Sequence, residues 1–197
     1  MTWKRCRALI ASDLWRHAGC RGSGTLWNHY LQTPGFRYAV LLRLYAWSRT
    51  RRWCSLGVRQ LIVLQLYRCS IRFGIDVSRD ARIGSGFYIG HFGGIFVPGG
   101  AVIGNNCNLS HDVTFAEVNR GEKAGSAIVG NNVYIAPGAK IIGRVHIGDD
   151  AAIGANAVVV NDVAAHTTVG GIPARPISHH GSEGYINRTD YPPVPAE

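Results

Sequence analysis

His91 stands among regularly spaced isoleucines and glycines in "GFYIGHFGGI", and Asp76 precedes it by fifteen residues in "FGIDV". These two side-chain types can do one kind of work together. An imidazole titrating near neutrality can take the proton of a weakly nucleophilic hydroxyl, and a carboxylate on its second nitrogen would fix the tautomer. The same ring could also serve as a hydrogen-bonded lining of a bend in the chain. A second histidine, His111, lies two residues after Leu109, as His91 lies two after Ile89.

The elements that must position these groups are written in the aliphatic residues. Ile83, Ile89 and Ile95 are six apart, and after a two-residue slip Ile103, Leu109 and Phe115 resume that step. After the excursion "AEVNRGEKAGSAI" the step continues through Val129, Ile135, Ile141, Ile147, Ile153 and Val159. A small or aliphatic residue sits two before many of these, and glycine often follows. Neither the 3.6 period of a helix nor two-residue alternation accounts for the pattern. A step of six fits one short strand plus a turn, with three hexads closing one triangular coil of a β-helix and the aliphatic side chain pointing inward. Twelve hexads give about four coils across residues 76–176. With the slip counted, His91 and His111 fall on neighbouring rungs, roughly 5 Å apart in backbone. Asp76 is not placed by this count, because fifteen residues is three short of an eighteen-residue coil.

The preceding region has a different chemistry. The chain has 197 residues and a net charge of +9, yet residues 1–76 hold thirteen Lys and Arg against Asp13 and Asp76 alone. The remainder holds eight against ten acids. All five tryptophans (Trp3, Trp15, Trp27, Trp47, Trp53) lie in the basic part. "FRYAVLLRLYAWSRTRR" places Phe36, Val40, Leu44 and Trp47 on one helical face with arginines around the rest, and "LGVRQLIVLQLYRCSIRF" reads as a second helix. Residues 1–75 are therefore a helical N-terminal region, either a cap packed on the coils or a basic face resting on an anionic membrane surface. Residues 177–197 form a polar, proline-containing tail expected to be loosely ordered.

Composition excludes several classes. Twenty-five glycines without a Gly-X-Y period rule out collagen. Five scattered cysteines without a C-x-x-C pair argue against a disulfide framework or zinc ribbon and for a reducing cytoplasm. The N-terminal apolar run is too short for a signal peptide, and no segment is long enough to span a bilayer. No basic recognition motif points to nucleic acid. The expected location is cytoplasmic, with peripheral contact at the inner membrane face as the use of the basic region.

"IGDDAAIGANAVVVNDVAAHTTVGGIPAR" resembles the hexapeptide-repeat acyltransferases, and more closely the serine acetyltransferases and their relatives in polysaccharide gene clusters. The resemblance runs from about Asp13 to Pro176 and is tightest over residues 73–176. It implies a mainly β protein with a left-handed parallel β-helix, a homotrimer with sites in the clefts between subunits, acetyl-CoA as co-substrate and no metal. It also implies that His91 is the general base and that Asp76 holds its ring. His111 falls where serine acetyltransferases commonly carry Gln, so it is an acceptor-site residue or merely a rung neighbour. Left-handed β-helices also build zinc carbonic anhydrases, but no third histidine falls in the coils near these two.

The excursion 116–128 is, by the same resemblance, a loop over the cleft. In serine acetyltransferases it carries an Arg-His pair for the substrate carboxylate, and a carboxylate precedes the catalytic histidine. Here Gly90 precedes His91 and "KAGSAI" lacks the pair. The expected acceptor is therefore a hydroxyl of a sugar or lipid-linked glycan, with L-serine as the alternative. Asn119 and Arg120 would contact sugar hydroxyls or CoA phosphate, unless they are simply solvated. Ala136, Pro137, Gly138, Gly154 and Ala155 would let a pantetheine arm lie against backbone. Arg175 would meet a phosphate, with Lys140 as another partner or a solvated lysine, and Cys107 reads as packing.

Overall fold

The computed structural model describes residues 1–51, 54 and 57–196. Trp53 of the basic region, and the ends of the two helical patterns at Arg52 and Leu56, lie outside the described residues. Among the described residues four α-helices come first: α1 (Trp3–Ala18), α2 (Ser23–Gln32), α3 (Pro34–Ser48) and α4 (Val58–Phe73). The Thr2 hydroxyl accepts from Arg5 N–H at 3.2 Å to start α1, and Gly19 closes it with φ 67°. Pro34 opens α3 at a position whose N–H has no helical partner. On α3, Phe36 and Val40 are buried against Cys6, Ile10 and Leu14 of α1, with Leu44 and Trp47 packed beside them.

The fifteen short strands that follow stack in three parallel faces. The first holds β1 (Ile75–Val77), β4 (Ile95–Val97), β7 (Thr114–Ala116), β10 (Lys140–Ile142) and β13 (Val158–Val159). The second holds β2 (Arg82–Ile83), β5 (Val102–Ile103), β8 (Ile128–Val129) and β11 (His146–Ile147). The third holds β3 (Tyr88–Ile89), β6 (Asn108–Leu109), β9 (Tyr134–Ile135), β12 (Ala152–Ile153) and β14 (Thr168–Gly170). It ends with β15 (Arg175–Ser178), which runs antiparallel on β14. The hexad residues from Ile89 onward fill a single buried core, as the step of six requires.

The corners depend on a feature the hexad count does not show. Asn106, Asp112, Asn132, Asp150, Asn156 and His166 all have φ between 53° and 58°, each three residues after an inward aliphatic side chain. Asn and Asp tolerate this left-handed conformation better than other residues with a Cβ. Their side chains also form ladders between coils. Asn106 Nδ2 donates to Asn132 Oδ1 at 3.0 Å, and Asn132 Nδ2 donates to Asp150 Oδ1 at 3.1 Å.

The helices dock on the first coil through buried charge, so the arginines of α3 are not all solvated as the sequence pattern suggests. Arg43 donates to Asp13 Oδ2 at 3.0 Å and Oδ1 at 3.2 Å, and its guanidinium also reaches Ile83 O (2.7 Å) and Gly84 O (2.5 Å). Asp13 Oδ1 accepts from Phe87 N–H at 2.8 Å, and the Asp13 side chain is fully buried. Arg16, also buried, donates to Asn187 O and Asn108 Oδ1. Gly35 of α3 presses so closely on β3 that an added Cβ would sit 2.6 Å from Ile89 Cβ and closer still to Ile89 O.

The polar tail, expected to be loose, is instead packed. Tyr185 stacks on Tyr134 with centroids 4.4 Å apart. Ser182 Oγ donates to Asn132 O at 2.6 Å, Tyr191 Oη to Asn106 Oδ1 at 2.5 Å, and Trp15 Nε1 to Asp190 Oδ1 at 2.8 Å. The tail forms a strap running back across the coils to α1, because its tyrosines find ring and amide partners that a composition reading cannot see.

Candidate active site

His91 follows β3 and His111 follows β6, at the corner where the chain passes from the third face to the first. Register along the third face pairs Ile89 with Leu109, Leu109 with Ile135, Ile135 with Ile153 and Ile153 with Val169. Two residues beyond each, His91, His111, Pro137, Ala155 and Gly171 make one column down that corner. Corner peptides join it: Gly138 N–H donates to His111 O at 3.1 Å and Asn156 N–H to Pro137 O at 2.9 Å. The column faces solvent, with Pro137 half-buried and the other four exposed. The two imidazoles lie 6.1 Å apart at 82°, as the slip-corrected count predicts. Of the small residues expected against the donor, Pro137 and Ala155 share this edge with the two histidines, whereas Ala136 and Gly138 are buried and Gly154 is half-buried.

Glycine shapes the backbone beside the base. Gly93 and Gly94 have φ of 109° and 67°, which let the chain turn into β4 immediately after His91. Gly74 lies against this turn and accepts from Ile95 N–H at 3.0 Å. The segment carrying Asp76 and the segment carrying His91 are therefore neighbours. Among the described residues, however, no hydrogen bond or ion pair joins Asp76 to His91 within the chain. The first coil is twenty residues long, since Ile75 pairs with Ile95. One rung before His91 is thus position 71, inside α4, and Asp76 lies on the first face paired with Phe96. Its carboxylate lines a cleft with Tyr38 and Ser70. Burial pushes the Tyr38 phenol up, and the Asp76 charge adds to that.

The excursion 116–128 is a small hairpin. Val118 and Gly125 exchange backbone hydrogen bonds of 3.1 and 2.7 Å, leaving Asn119 and Arg120 exposed. Lys123 Nζ donates to Asn161 Oδ1 at 2.6 Å, and Arg144 Nη2 to Glu122 O at 3.1 Å, which hold the hairpin down. It leaves the chain between β7 and β8, at the corner of the first and second faces. The histidine column lies at the opposite end of the first face, so a protomer's hairpin and its own histidines occupy different corners.

The remaining candidates separate. Arg175 is exposed on β15, paired with Gly170 at the end of the column. Lys140, partly exposed, is paired: its Nζ donates to Asp112 Oδ1 at 2.9 Å and Asp112 O at 2.7 Å. Sequence reasoning passed over Asp112, although a carboxylate next to His111 was visible. Cys107 is packing: it is fully buried, donates to Gly130 O at 3.2 Å, and burial pushes its thiol up to about 12. Among the described residues no group of three His, Cys, Asp or Glu side chains could hold a metal ion, and no helix is long and apolar enough to cross a membrane.

Residues 126–161 match the family described as bacterial transferase hexapeptide (six repeats). A serine acetyltransferase of Synechococcus elongatus is 32% identical over 75% of this chain and 59% of its own length. The crystal structure of Neisseria gonorrhoeae serine acetyltransferase superposes with a TM-score of 0.69 at 30% identity, covering 89% of this chain and 67% of that one. Soybean serine acetyltransferase complexed with serine gives 0.70 at 30% identity, over 88% and 70%. The chain belongs to the hexapeptide-repeat transferase family. Membership implies left-handed winding for the three-sided coil. This hexapeptide-repeat transferase spans about three fifths of the length of the first-named relative.

Proposed function

We propose that the chain is an acetyl-CoA-dependent O-acetyltransferase whose sites form between subunits of a homotrimer. One observation carries the reading: the imidazoles and two of the small donor-binding residues, Pro137 and Ala155, lie on one exposed corner. In the proposed reaction the pantetheine arm lies along Pro137, Ala155 and Gly171, with the CoA phosphates toward Arg175. His91 takes the proton of the acceptor hydroxyl as its oxygen attacks the thioester carbonyl, and His111 orients the acceptor. The tetrahedral intermediate collapses with cleavage of the C–S bond, and the imidazolium returns its proton to the departing thiolate. Asp76 fixes the His91 tautomer once that ring turns toward the first face. A neighbouring subunit's hairpin supplies Asn119 and Arg120, since the corner separation within one chain favours a shared site.

The relatives' names favour L-serine as acceptor over the sugar hydroxyl expected from the sequence, and no relative named above supports a polysaccharide role. One observation keeps the sugar or lipid-linked glycan as a second reading. Gly90 stands where a carboxylate would meet an ammonium group, and no Arg-His pair ends the hairpin. The test is CoA release from acetyl-CoA with L-serine and, separately, with nucleotide- and lipid-linked sugars. Turnover of serine alone assigns the first reading, and turnover of sugar alone the second. Absence of both, or turnover unchanged in His91→Asn, refutes the proposal.

A further inference from the structure

The N-terminal helices carry a groove that this chemistry does not use. It opens among α1, α2 and α3 with a volume of about 590 Å³, and Ile10, Leu14, Leu26, Trp27 and Val40 line it. α2 has no buried residue and lies as a flap on the other helices. Trp3, Trp27 and Leu31 are 45%, 61% and 64% exposed. Arg7 and Arg21 border the same groove, and among the described residues neither is paired with a carboxylate within 4 Å. Charge there is one-sided. The single acid of α1–α3 is Asp13, which is buried against Arg43. Arg21 lies over the Trp15 ring, 5.0 Å from its centroid, and its charge also reaches Asp190 of the strap, which accepts from Trp15 Nε1.

An aliphatic floor, tryptophan at the edge and arginine at the rim is the sequence of layers that a bilayer interface presents in reverse. We propose that this α1–α2 groove is a docking surface for a bilayer containing anionic phospholipid. Trp27 and Leu31 enter the interfacial layer while Arg7 and Arg21 meet phosphate groups. α4 also exposes apolar residues, Leu61, Tyr67 and Ile71. Its side, however, borders the cleft that holds both Asp76 and Arg79, so the charge there is mixed rather than one-sided. The groove combines apolar area with an excess of positive charge, and that complementarity selects a lipid surface over an uncharged partner.

The experiment is flotation of the full chain with phosphatidylcholine vesicles, with and without phosphatidylglycerol, at low salt. The expected result is binding only to the anionic vesicles. Arg7→Gln with Arg21→Gln lowers the partition coefficient about 30-fold, the effect of two cations lost near an anionic surface. Trp27→Ser with Leu31→Ser weakens binding further, while Leu61→Ser with Tyr67→Ser on α4 leaves it unchanged. All six positions are exposed or at a rim, and circular dichroism of each variant checks the fold. Failure of the native chain to float with anionic vesicles overturns the proposal, as does undiminished binding of both groove variants or loss of binding in the α4 variant. A lower solution mass of the groove variants by light scattering would make the groove a contact between copies and equally overturn it.

Discussion

Replacing Asp13 by alanine tests whether buried charge, rather than helix packing alone, holds the N-terminal region on the coils. The substitution removes both carboxylate acceptors of Arg43 and the acceptor of Phe87 N–H, at a site with no solvent access. Arg43 keeps its bonds to Ile83 O and Gly84 O but loses its countercharge. Breaking a buried pair in this way costs about 3–5 kcal/mol, because an uncompensated ion is left in a low-dielectric site. For a chain of this size that corresponds to a fall in Tm of roughly 10 °C. Asp13→Asn restores an acceptor for Phe87 N–H without the charge and should lose less. The control is Asp80→Ala, which breaks an exposed pair with Arg49 and should cost about 0–1 kcal/mol. Urea unfolding followed by far-UV circular dichroism reads all three. If Asp13→Ala and Asp80→Ala lose the same small amount, the buried network is not what docks the helices.

Three other outcomes follow from the geometry. Gly35→Ala forces Ile89, two residues before His91, to move; stability should fall by about 1–3 kcal/mol and kcat by roughly 10–100-fold, with the KM for acetyl-CoA unchanged in steady-state kinetics because the proposed donor residues lie on later coils. The Cys107 thiol titrates near 12 when folded, from an ordinary value of 9.0, so its contribution is complete below about pH 9 and is lost as pH rises through 12; Cys107→Ala should flatten the alkaline fall of stability in urea titrations from pH 9 to 11. Refolding a mixture of His91→Asn and Arg120→Ala subunits, each with low activity alone, should recover activity if a site draws on two chains; no recovery would argue that each chain's site is its own.

The legible part of this protein was the part with a period. Ile89, Leu109, Ile135 and Ile153 announced both the coil and the shared corner of His91 and His111, since a fixed step fixes where every second residue beyond it must point. Asp76 escaped the same reasoning because the first coil has twenty residues and the position one rung before His91 lies in a helix. Arg43 read as part of a basic helical face, for nothing local distinguishes a solvated arginine from one whose guanidinium is used up by distant carbonyls and a buried carboxylate. The hairpin's corner was also hidden: the excursion was visible, but which face it left depended on counting strands rather than residues. The left-handed Asn and Asp corners were present as "GNN", "GDD" and "GAN" but carry no signal until the turns are seen.

The strap changes how such a repeat should come apart. Stacked coils touch only their neighbours and in isolation could open one at a time from an end. Here Tyr191 reaches Asn106, Tyr185 covers Tyr134, and Ser182 N–H donates to Asp150 O at 2.8 Å. One segment thereby bridges rungs that are not adjacent and fastens the last of the chain to its first helix. Fraying at either extremity must first release the other, so the ladder should melt as a single cooperative unit instead of unzipping.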